Sequence, residues 1–100
     1  MRTQTQGNTL IVTDFTELTT NDGMRTREYI RQSLTDAHAI LDVDLSQVKF
    51  LDSHGIGVLI SLHKTMCQRG GKMRLLHPKP AVFQILQLLS LGEVFEIINP

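Results

Sequence analysis

Two hydrophobic periods alternate along this chain, and the switches between them mark its elements. Residues 8–15, NTLIVTDF, are short and rich in β-branched side chains, which predicts a strand. TELTTNDG follows with turn chemistry, and Asn21 or Asp22 is a candidate helix N-cap. From Met24 to Ala37 the spacing turns helical: Met24, Ile30, Leu34 and Ala37 recur on one side among arginines and a glutamate. AILDVDL, residues 39–45, returns to strict alternation. Ala39, Leu41, Val43 and Leu45 share one face of a strand, and Asp42 and Asp44 share the other.

SQVKF reads as a short connection. Residues 53–68 then form a second predicted helix, with Ile56, Leu59, Ile60, His63 and Cys67 along its buried stripe. Arg69-Gly70-Gly71 stops it, because glycine suits the left-handed position past a helix C-terminus. KMRLLH, residues 72–77, alternates again, with Met73 and Leu75 opposite Lys72 and Arg74. A third helix starts near Pro78 or Pro80 and closes at Gly92. Val82, Ile85, Leu86 and Leu89 are its buried side; Gln84, Gln87 and Ser90 face water. VFEII, residues 94–98, is a final short strand.

The resulting order, β-α-β-α-β-α-β, favours an α/β fold with parallel strands joined by right-handed crossovers. A parallel sheet covered on both faces has continuously apolar strands. Strands 39–45 and 72–77 instead carry charges on one face, so we expect the helices on one side of the sheet and water on the other. If those strands are neighbours, Asp42 and Asp44 lie beside Lys72 and Arg74, each cross-strand pair contributing about 0.2–1 kcal/mol.

With 100 residues the chain has enough length for one domain, expected over 1–100 with 1–7 flexible. Hydrophobic residues make up 41% and charged residues 20%, a composition that folds. The formal net charge of zero argues against nucleic acid and against anionic membranes as partners. The single cysteine, Cys67, rules out an intrachain disulfide and reads most simply as a small buried hydrophobe. No apolar h-region or spanning run is present, so we expect a cytoplasmic chain without membrane insertion.

The chemistry-bearing residues concentrate in LDSHGIG, residues 51–57. Ser53 beside His54 suggests a nucleophile and its base, but neighbours in a first helical turn point apart, and the G-x-S-x-G elbow is missing. Gly55 and Gly57 form only G-x-G, without the lysine of a P-loop or a third glycine at dinucleotide spacing. His38, His54, His63 and His77 are scattered, and no two of them stand four apart on one helix, so no metal site is expected. Capping of the helix by Asp52 or Ser53 is the plain structural alternative. The leucine-rich segment 81–95 is either core packing or an exposed apolar patch, and core packing is the usual fate of such a stripe.

The run from residue 39 to 98 resembles the STAS domain, and in particular the bacterial anti-sigma factor antagonists. The Asp-Ser-x-Gly-Ile-Gly bend, the helix ending in Gly-Gly, the next strand and the Pro-headed helix stand in the family's order and spacing. The resemblance implies a STAS fold, a mixed, mostly parallel sheet with helices packed mainly on one face. It implies that Ser53 is phosphorylated by an anti-sigma factor that is itself a serine kinase, with no catalytic residue and no cofactor in this chain. The unmodified antagonist binds that kinase and frees the sigma factor; phosphorylation releases it, and a phosphatase resets it. Asp52, Ser53, His54, Gly55, Ile56, Gly57 and Thr19 are the implied partner-binding residues, on helix 53–68 and loop 16–23. Members commonly carry a Gly-x-Leu-Asp stretch after the early strand; here FTELTTNDG replaces it, with Thr19 where the aspartate is expected. The family also includes scaffold modules and accessory subunits of lipid-transport ATPases that need no phosphoryl switch. A homodimer is compatible with all of these.

Overall fold

The computed structural model describes residues 1–18 and 23–99. Its elements are β1 (Arg2–Gln6), β2 (Thr9–Thr13), β3 (Glu17–Leu18), α1 (Gly23–Ser33), β4 (Ile40–Asp44), β5 (Phe50–Leu51), α2 (Ser53–Gln68), β6 (Lys72–Leu76), α3 (Pro80–Leu88), a 3₁₀ turn (Leu91–Glu93) and β7 (Glu96–Ile98). The main sheet has the order β1-β2-β4-β6-β7, and β3 and β5 form a separate two-stranded ladder. All pairs except β1–β2 are parallel. The fold is therefore α/β with a mixed, mostly parallel sheet, as expected.

Each crossover advances one place in the same direction, from β2 through α1 to β4, through α2 to β6 and through α3 to β7. Right-handed connections then put the three helices on one face. The ladder places Leu10, Leu41 and Met73 in one row on that face, and Val12, Val43 and Leu75 in the next. All six are buried against Ile30, Leu59, Leu62, Met66, Val82 and Leu86. Each such side chain contributes about 1.5–3 kcal/mol.

The opposite face carries Asp42 directly beside Arg74. The guanidinium donates both Nε–H and Nη2–H to the two carboxylate oxygens at 2.6 Å. That bond, more than any other influence, raises the Arg74 pKa. Lys72 pairs with Glu96 at 3.4 Å rather than with either aspartate. Asp44 instead accepts from the Ser46 N–H at 2.8 Å and shapes the turn after β4.

Several expectations change. Arg2–Gln6, expected within a flexible lead-in, is an edge strand on β2. Glu17–Leu18 and Phe50–Leu51, read as loop and connection, pair with each other. The first helix ends at Ser33 rather than Ala37. Beyond it, buried His38 accepts the Thr35 N–H on Nδ1 at 3.0 Å, so its Nε2–H donates to Thr5 Oγ1 at 3.0 Å. This loop is also held by Arg69, which donates to the carbonyls of Thr35 and His38. The candidate cap at Asn21 or Asp22 lies outside the described residues.

The buried stripe of α2 is Gly55, Val58, Leu59, Leu62 and Met66. Of the predicted stripe only Leu59 is fully buried; Ile56, Ile60 and His63 are half-buried and Cys67 is exposed. Val58 to Ile60 is apolar all round, so the helical period alone does not select the direction that faces the sheet. On α3, Val82 and Leu86 are buried, but Leu89 is 52% exposed. The helix stops at Leu88, before Ser90 in the left-handed region at φ 56°, and Gly92 lies in the following 3₁₀ turn.

Candidate functional site at the start of α2

The β3–β5 ladder aims the chain into α2. Leu51 sits beside Leu18, and the Asp52 N–H donates to the Leu18 carbonyl at 3.4 Å. Asp52 is extended, with φ −107° and ψ −175°, and its carbonyl accepts the first helical bond, from the Ile56 N–H at 3.0 Å. Its Oδ1 accepts from the N–H groups of both His54 and Gly55 at 3.0 Å. Asp52 is therefore the N-cap, satisfying donors that a helix start otherwise leaves unpaired.

That assignment decides the state of Ser53. Two other helix hydroxyls bond back to carbonyls four residues earlier, Ser33 to Tyr29 and Thr65 to Ser61. Ser53 is the first residue of α2 and has no preceding helical carbonyl to reach. It is exposed, and among the described residues its hydroxyl has no hydrogen-bond partner. No bond joins it to the exposed His54, so the nucleophile-and-base arrangement is not assembled within this bend.

The glycines divide their work. A Cβ at Gly55 would run into the carbonyl oxygen of Leu18 and approach the Leu51 side chain, so only glycine lets α2 seat on the ladder. Gly55 is buried and sets the helix rather than offering contact surface. A Cβ at Gly57 would meet nothing within 4 Å. Gly57 is four residues from Ser53, on the same helix face, and helical side chains lean toward the N-terminus. Gly57 is exposed and leaves that face of the helix start without a side chain.

Ile56 is half-buried against the core. Thr19 lies outside the described residues. Phe50, placed by the sequence pattern in a connection, is 62% exposed three residues before Ser53. An aromatic residue in a supposed connection was the available signal. A cavity of about 360 Å³ lies between α1 and the β2–β3 turn, lined by Phe15, Glu17, Arg25, Thr26 and Tyr29 among others; Ser53 is not part of it.

The other end of α2 carries the exposed Cys67, whose Sγ is 3.5 Å from His63 Nε2. The His63 ring meets Phe95 edge-on, with centroids 5.3 Å apart. Among the described residues no three His, Cys, Asp or Glu side chains are grouped to hold a metal ion. No helix among them is long and apolar enough to cross a membrane.

Residues 1–99 match the model of the STAS domain. The anti-sigma-B factor antagonist of Listeria monocytogenes is 30% identical over 60 residues, covering 60% of this chain and 53% of the relative. The chain thus spans about half the length of the curated relatives it first matches. The Thermotoga maritima protein TM1081 superposes with a TM-score of 0.92 at 20% identity, covering 99% of this chain and 86% of that one. The anti-sigma factor antagonist SpoIIAA in its unphosphorylated form superposes with a TM-score of 0.80 at 21% identity, over 96% of this chain and 85% of that one. The phosphorylated form of the Bacillus cell fate determinant SpoIIAA gives 0.74 at 20% identity, over 96% and 88%. At these identities the solved structures establish the fold.

Proposed function

This chain belongs to the STAS domain family, and from that footing we propose that it is an anti-sigma factor antagonist switched by phosphorylation at Ser53. The observation that carries the reading is the division of labour at the start of α2. Asp52 caps the helix, and the Ser53 hydroxyl is left exposed on a helix face where Gly57 adds no side chain. The names of the Listeria relative and of SpoIIAA support the antagonist role.

In the step proposed, Ser53 Oγ attacks the γ-phosphorus of ATP held by a partner anti-sigma kinase. The bond from that phosphorus to the bridging oxygen breaks, ADP leaves, and the hydroxyl proton passes to a base of the kinase. This chain is the acceptor and not the catalyst. Use of ATP puts the exchange in the cytoplasm. A separate phosphatase returns the serine.

The added group carries about −1.5 to −2 charges at pH 7. The positive end of the α2 dipole tolerates it, so the fold persists. The docking surface around Ser53, His54, Gly57 and Phe50 gains that charge next to the Asp52 carboxylate. A partner docked there loses contact through repulsion and bulk. We expect Ser53→Asp to weaken binding by about 30-fold or more, equivalent to 2 kcal/mol.

The test combines the chain, a cognate anti-sigma kinase and ATP. Mass spectrometry should find one phosphate on Ser53 and none on the Ser53→Ala variant. Titration calorimetry should show wild type and Ser53→Ala binding alike and Ser53→Asp binding weakly. No phosphate on wild type, together with undiminished binding by Ser53→Asp, overturns the proposal.

A further inference from the structure

The sheet has two borders, and they are built differently. β7 has three residues, carries Glu96 in an ion pair with Lys72, and leads into Asn99 in the left-handed region at φ 51°. Shortness, charge and a turn away are the usual devices by which a protein keeps an edge strand from pairing with another chain. β1 has five residues, RTQTQ, paired one-to-one with β2 without a bulge. It holds no proline, and its one charge, Arg2, stands at its end beside Asp14 at 3.8 Å. Along its outer side the N–H and C=O groups have no ladder partner among the described residues.

We infer that β1 is a homodimer seam, where two copies pair their β1 strands antiparallel about a two-fold axis at Gln4, joining both five-stranded sheets into one. The sequence of the strand is self-complementary in that register. Gln4 meets Gln4 of the partner subunit, Thr3 meets Thr5 of the partner subunit, and Arg2 meets Gln6 of the partner subunit. No like charges are brought opposite one another, which would oppose pairing. The threonines share the helix-bearing face with Leu10 and Val12, and the glutamines share the open face with Ile11. The strand is also ordered in advance: β2 holds its inner side, and Thr5 is bonded to buried His38. Pairing therefore costs little further ordering.

The inference does not rest on the antagonist role, since Ser53 and the β3–β5 ladder lie outside this edge. Sedimentation velocity of the whole chain across the micromolar range should show a concentration-dependent shift from one chain to two. Gln4→Lys sets two ammonium groups together at the axis and should hold the protein at one chain, with an unchanged circular dichroism spectrum. A second arm uses Gln4→Cys in a Cys67→Ser background. Opposed residues of an antiparallel pair have Cα atoms about 4.5–5.5 Å apart, within disulfide reach. Mild oxidation should give a covalent dimer, while Glu96→Cys on β7 in the same background should not. A wild type that stays at one chain throughout, a Gln4→Lys dimer as strong as wild type, or equal cross-linking at both borders overturns it.

Discussion

The two ends of α2 are both defined by local sequence, yet they finish in opposite states. At the C-terminus Gly70 takes φ 75°; its N–H donates to the Cys67 carbonyl, and that of Gly71 to the Met66 carbonyl at 2.8 Å. This is a Schellman closure in which the backbone satisfies itself. Gly71 packs so tightly that a Cβ there would strike the Ala39 carbonyl oxygen. At the N-terminus Gly55 packs just as tightly against the Leu18 carbonyl, but the closure uses the side chain of Asp52. A side-chain cap leaves the next residue with no structural duty, and that residue is Ser53. The end that carries Ser53 is not a looser end. It is anchored as firmly as the other, and its spare group is the product of who does the capping.

The hardest test of that symmetry is Gly55→Ala. The added methyl meets backbone rather than a yielding side chain, so we expect a loss of about 3 kcal/mol in denaturant unfolding. A loss below about 0.5 kcal/mol would show that the helix start is not anchored on the β3–β5 ladder. Next come the caps themselves. Asp52→Ala should cost about 1 kcal/mol, and Gly70→Ala about 1–2 kcal/mol for the left-handed backbone. Only the first should also alter the rate of Ser53 phosphorylation, a difference that separates the two ends. The smallest effect sharpens the contrast most. Gly57→Ala should stabilise the chain by about 0.5–1 kcal/mol, because glycine inside a helix is costly. The same substitution should slow phosphorylation by adding a methyl to the face that a docked kinase would approach. Equal phosphorylation rates in Gly57→Ala and wild type would mean that the missing side chain on that face plays no part.

Reading the chain by period alone located α2 within its observed bounds and recovered β4, β6 and the third helix's proline start. Those segments repeat their pattern over several residues and carry their own stop signals. β1, β3 and β5 escaped for a shared reason. Arg2–Gln6 is polar, and the other two are only two residues long. Such strands exist through the neighbour they pair with, and their own sequence carries little periodic signal. The Asp42–Arg74 pair lies between these cases. Alternation put both residues on the open face, but only the observed register made them partners and sent Lys72 to Glu96.

At the site, the bend at residues 51–57 and the helix that follows were legible as local chemistry: a cap-forming pair, two glycines, then an apolar period. The sequence by itself determined that a serine stands at a helix start within a STAS pattern. Three matters were decided only by tertiary structure: that Asp52 and not Ser53 is the cap, that Gly55 serves packing while Gly57 faces open space, and that Cys67 is exposed. The first goes with the Asp52 N–H bond to the Leu18 carbonyl, which aims the chain into α2; the other two depend on which side of α2 is buried. Local sequence sets the period of a helix, whereas its rotation is chosen by the surfaces it buries.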